Sequence, residues 1–150
     1  MFPFTRLLVA TSLVLVTAFG TANAQLTPRF VVPGVMNTGP LGTFFFCTNP
    51  SEAPVAVGIQ VLAADGTPIN VPSDTSGLLG PHTTIMFGTD VASGLSVEQN
   101  LAVGIVDHGS AQIVGSSYRI ACSVFLADRY SNPPSSMTTL SVVKGKQKGD

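Results

Sequence analysis

Short runs of alternating apolar and polar residues fill most of this chain, and clusters of turn-forming residues separate them. Val55, Val57, Ile59 and Val61 make an unbroken β-branched stripe opposed by Ala56, Gly58, Gln60 and Leu62, which predicts a half-buried strand. In Thr43 to Thr48 the alternation puts Phe45 and Cys47 on one face and Phe44 and Phe46 on the other. Both faces are apolar, as suits a strand at the centre of a packed sheet. Thr83 to Phe87 reads as a strand with Ile85 and Phe87 inward. Tyr118 to Ala127 is the longest β pattern, with Ile120, Cys122, Val124 and Leu126 on one face. Arg29–Val32, Asn100–Asp107, Gln112–Val114 and Met137–Val143 complete the expected strands.

Between these runs, Pro33-Gly34 should stop the first strand and Met36 to Gly42 should form a loop. Asn49 to Glu52 turns the chain, and Asp65-Gly66 signals a hairpin whose returning arm is Thr67 to Val71. Further loops are expected over Pro72–Pro81, Gly88–Ser96, Asp107–Ser110 and Asp128–Ser136. Ala102-Val103-Gly104-Ile105 repeats Ala56-Val57-Gly58-Ile59, either because two strands share an environment or because common strand residues recur by chance. After the first residues no segment sustains apolar spacing of three and four, so helices should be absent or short. Seven to nine short strands of this kind predict an all-β antiparallel β-sandwich, with a closed barrel as the alternative.

The N-terminus departs from that pattern. Arg6, the apolar run Leu7 to Phe19 and Ala22-Asn23-Ala24 read as a signal-peptide helix over residues 1–24. At helical rise the apolar run reaches roughly 20 Å, short of a hydrocarbon core of roughly 30 Å, which disfavours the alternative of an uncleaved anchor. The reading gives one β-sandwich domain over 25–143 and a flexible lysine-containing tail over 144–150. It places the protein as secreted or periplasmic, with no integral membrane segment after cleavage.

That compartment changes the meaning of the two cysteines. Cys47 and Cys122 should pair in an oxidising environment, closing a loop of 75 residues worth about 4 kcal/mol by chain entropy. Their places in apolar stripes suit a bond across sheets, and the alternatives are two buried thiols or a metal pair without neighbouring His. The formal charge of −1 becomes −2 once Arg6 is lost, which gives no general reason to expect nucleic acid or an anionic membrane as partner. Lys144, Lys146 and Lys148 read as a solvated tail.

Candidate chemistry is sparse. Asp107-His108-Gly109-Ser110 places an acid, an imidazole and a hydroxyl within four residues, but adjacent strand residues face opposite ways and a polar turn is the simpler account. Asp65, Asp90, Asp107 and Asp128, with His82 and His108, match no calcium loop or zinc helix. Asp128 beside Arg129 reads as a surface pair, and no catalytic, cofactor-binding or metal residue is assigned.

A Cys on an early strand and a second on a late one resemble the immunoglobulin-like architecture with its inter-sheet disulfide. The chain has no Trp, and Ile120 stands where those domains often carry a corner Tyr. The segments FFFCTNPSEAPVAVGIQVLAADGTPIN, GPHTTIMFGT and RIACSVFLADRYSNPPSSMTTLSVVKGKQKGD resemble a group of small secreted bacterial proteins of unassigned function. That resemblance implies a compartment and a fold, and no ligand or active residue.

Only 10% of residues are charged, so Thr, Ser, Ala, Gly and exposed apolar groups must cover much of the sheet surface, which invites association. The expectation is a non-catalytic module for binding, adhesion or envelope structure, with an unknown protein or surface partner. It would act through a sheet face, an edge strand or its loops. The competing expectations are a small hydrolase or carbohydrate-binding domain, and a carrier of apolar ligands.

Overall fold

The β-branched stripe from Val55 to Val61 lies fully in the core. In the computed structural model, which describes residues 25–72 and 76–145, Val55, Val57, Ile59 and Val61 are all buried. The expected signal peptide, residues 1–24, and the tail residues Lys146 and Lys148 lie outside the described residues. Ten strands form one hydrogen-bonded sheet: β1 (Thr27–Thr38), β2 (Leu41–Thr48), β3 (Val55–Leu62), β4 (Gly77–Leu79), β5 (Thr84–Gly88), β6 (Gln99–Asn100), β7 (Val106–Gly115), β8 (Ala121–Asp128), β9 (Met137–Leu140) and β10 (Val143–Lys144). The main path runs β4-β3-β7-β1-β2-β5-β6, with β10 added to β1 and the β8–β9 pair added to β2. No α-helix occurs among the described residues, and none of them forms a helix long and apolar enough to cross a membrane.

The sheet curls around one core. Val57 and Ile59 of β3, Val32 and Val35 of β1, and Ala111 and Ile113 of β7 pack in the same cluster as Phe45, Phe87 and Val124 of β2, β5 and β8. The fold is therefore all-β, as expected. It has ten strands instead of seven to nine, and it is mixed instead of antiparallel, because β5 and β6 run parallel through Phe87–Gln99 and Gly88–Asn100. β2 is central, bonded to β5 on one edge and β8 on the other. Its second apolar face is covered too: Phe44 packs with Met86 and Ala127 beneath Ala92, Leu95 and Val97 of the β5–β6 connection.

Three stretches differ from the sequence reading. β1 does not stop at Pro33-Gly34; Gly34, at φ 78, takes the extra residue between the Pro33–Ser110 and Val35–Gly109 pairs, so the strand runs on to Thr38. Asp107 to Ser110 is not a turn but part of β7, which is paired on both edges, to β1 and to β3. Leu101 to Ile105 is not a strand. Ala102 and Gly104 both adopt left-handed φ, of 49 and 68, so the two Ala-Val-Gly-Ile segments occupy unlike environments.

The C-terminal pattern also divides. β9 pairs with β8, and β10 crosses to pair with β1, placing Lys144 opposite Phe30 instead of in a tail. After the Asp65-Gly66 turn the chain makes only a single bridge, Leu62 to Pro68, since Pro cannot donate. The Asn70 side chain then substitutes for a strand: its oxygen accepts from Val61 N–H at 2.7 Å, and its amide donates to Ile59 carbonyl at 2.8 Å.

Candidate functional site

Register places two distinct ends on this sheet. Thr38, Leu41, Leu62, Val106 and Asp128 lie at one end, and Thr27, Thr48, Val57, Gly115 and Ala121 lie toward the other. The first end carries the sequence's best chemical candidate and the most unusual backbone.

Asp107, His108 and Ser110 stand at that end of β7, lining with Met36, Ala63 and Ala64 an open groove of about 510 Å³. A smaller recess of about 250 Å³ lies beside it, lined by Ile69, Ile105, Asp107 and His108. Asp107 and His108 are both exposed. Among the described residues no hydrogen bond joins the carboxylate, the imidazole and the hydroxyl, so no base is held against a nucleophile. His82 is far from them at the opposite end, where its Nε2 lies 3.1 Å from Glu52. Among the described residues no group of three or more His, Cys, Asp or Glu could hold a metal ion.

Next to the groove, the β6–β7 loop is built to hold one side chain in solvent. Leu101 and Val103 are buried and anchor it, whereas Ile105 is 82% exposed. Asn100 Oδ1 accepts from Ala102 N–H at 2.9 Å, and Asn37 Nδ2 donates to the Gly104 carbonyl. These bonds fix the left-handed residues. A non-glycine residue in that region costs on the order of 1–2 kcal/mol, so the loop shape is imposed by its surroundings.

Asn37 is itself held by Arg129. Its Oδ1 accepts from Arg129 Nη1 at 2.8 Å; the same nitrogen pairs with Asp90, and Nη2 donates to Gly39 carbonyl at 3.0 Å and Tyr130 Oη at 2.9 Å. The guanidinium also lies 5.0 Å from the Tyr130 ring centroid. This corrects the reading of Asp128 and Arg129 as a surface pair: Arg129, with a side chain only 13% exposed, pairs with Asp90 instead. Asp128 is a buried cap whose carboxylate accepts from Ser131 Oγ, Ser135 Oγ and the Tyr130 N–H. Those bonds, led by Ser131 and then Ser135, lower its pKa to about 2. Asp65, in its exposed turn, is also held below its ordinary value, chiefly by hydrogen bonding from Thr67.

Sequence reasoning missed Ile105, Asn37 and Arg129 as a linked set, because the link runs through a hydrogen-bond chain between residues as many as 92 positions apart. The Cys47–Cys122 bond forms as expected, and it fits an oxidising compartment. It does not cross between sheets. The two residues are directly opposed on neighbouring strands β2 and β8. Comparison with protein-family models, with curated proteins and with solved structures finds no match.

Proposed function

We propose that this is a secreted or periplasmic, non-catalytic binding module of immunoglobulin-like sandwich type, and that it works through the rim formed by Ile105 and the adjoining groove. The observation that carries the reading is the exposure of Ile105 on a loop with left-handed backbone at Ala102 and Gly104, braced by Asn37 and Arg129. Exposing an aliphatic side chain forfeits about 1.5–3 kcal/mol of burial, and the loop adds backbone strain. A partner that buries Ile105 recovers the first cost.

The occupant that fits is an extended segment of another protein carrying aliphatic side chains and one basic residue. Met36, Ala63, Ala64 and Ile105 offer apolar contact, and the exposed Asp107 carboxylate supplies the charge for a cation. The hydrolase reading has less support, because Asp107, His108 and Ser110 are not joined. Selection from a displayed peptide library on the chain from Gln25 to Asp150 tests the proposal, with an esterase, glycosidase and protease panel run beside it. Enrichment of aliphatic peptides with Lys or Arg is expected. A turnover abolished by His108→Ala would overturn it.

A further inference from the structure

The formal charge of the whole chain hides how the fold sorts it. Of the four Lys and Arg among the described residues, Arg129 is taken up by Asp90, and the other three gather at the end opposite the Ile105 rim. Arg29 is on β1, Lys144 on β10 and Arg119 in the β7–β8 connection. The Arg29 guanidinium sits 4.2 Å from the Tyr118 ring centroid and the Lys144 ammonium 5.5 Å from the same ring. Arg29 Nε also donates to Gly115 carbonyl at 2.9 Å. None of the three cations pairs with a carboxylate among the described residues. Asp65, Asp90, Asp107 and Asp128 all lie at the rim end, and Glu52, at the cationic end, is bonded to His82. Lys146 and Lys148 follow directly in sequence.

We infer that this end docks onto the surface of an anionic phospholipid bilayer, the three cations meeting headgroup phosphates. Charge complementarity carries the inference, since an anionic bilayer presents phosphates to all three cations at once. A single-stranded nucleic acid would want a free aromatic face, and the Tyr118 ring is already engaged by two cations. Docking in this way would point the Ile105 rim away from the bilayer.

Co-sedimentation of the chain from Gln25 to Asp150, which contains every strand, tests this with vesicles of phosphatidylcholine alone or mixed three to one with phosphatidylglycerol. Binding to the mixed vesicles only is expected, weakening as salt rises. Each cation near such a surface contributes roughly fivefold, so Arg119→Gln with Lys144→Gln should weaken binding on the order of 25-fold. That double variant leaves the Arg29 bond to Gly115 in place, and its melting temperature should match the parent. Asp65→Asn, which raises net charge by one at the other end, should alter binding by no more than about twofold. Equal uptake by both vesicle types would overturn the inference, as would an unaffected Arg119→Gln, Lys144→Gln variant. Capture by soluble polyphosphate without uptake by the anionic vesicles would also overturn it.

Discussion

Cys47 and Cys122 face each other across a single ladder, β2 against β8, with Cα atoms 4.2 Å apart, a spacing near that of the narrow non-hydrogen-bonded pair. Each strand is also held by its own ladder bonds, and β2 by β5 on the far side. The disulfide therefore acts chiefly on the unfolded chain, where it closes 75 residues. Replacing both cysteines by Ala should lower stability by about 4 kcal/mol in urea unfolding while the strand content by circular dichroism is retained. Loss of the fold would show that the bond, not the ladder, sets the β2–β8 register.

The β6–β7 loop separates backbone strain from packing. Ala102 is left-handed, so Ala102→Gly should be neutral or stabilise by about 1 kcal/mol. Gly104 is left-handed as well, and a Cβ there would meet nothing within 4 Å. Gly104→Ala should therefore cost about 1 kcal/mol through conformation alone. Thermal melts should show a lowered melting temperature for Gly104→Ala and no lowering for Ala102→Gly, and a downward shift for Ala102→Gly would contradict the assigned loop shape.

How far these features were legible depends on whether local pattern or long-range pairing decides them. The Val55–Val61 stripe and the two apolar faces of Phe44 to Cys47 could be read directly, since burial on a strand follows the period of two. The Asn49 to Glu52 turn was also readable; Asn49, fully buried, holds it with amide bonds to Ala53, Leu79 and Gly80 carbonyls. Asp107 to Ser110 has the composition of a turn, but pairing of Val106, Gly109 and Ser110 to β1, and of Ser110 to β3, carries the strand through it. Ala102 to Ile105 has the composition of a strand, yet the side chains of Asn100 and Asn37 claim its backbone. Neither competition is visible in local sequence, and the Asn37 brace needs Arg129 from the far end of the chain.

Asp128 gives the fold an acid-sensitive element. Its folded pKa of about 2 lies below the ordinary value of 3.8, so the carboxylate takes up a proton less readily in the folded state than in the unfolded chain. The resulting stabilisation is fully present above about pH 5 and is lost as pH falls through the interval from about 4 to about 2. Melting temperature should decline more steeply across that interval in the parent than in Asp128→Asn. Parallel curves would show that the Ser131 and Ser135 bonds do not favour the carboxylate.

The account rests most heavily on Ile105 as a contact and not an accident of exposure. Substituting Ile105 by Asp should leave the melting temperature within about 1 °C of the parent, since an exposed site away from a special contact changes stability little. The direct measurement is titration calorimetry of a library-selected aliphatic, basic peptide against the parent and Ile105→Asp. The account predicts binding to the parent and affinity at least about tenfold weaker in the variant, as expected for losing one buried aliphatic contact. Equal affinity for the two, with the variant folded, would contradict it.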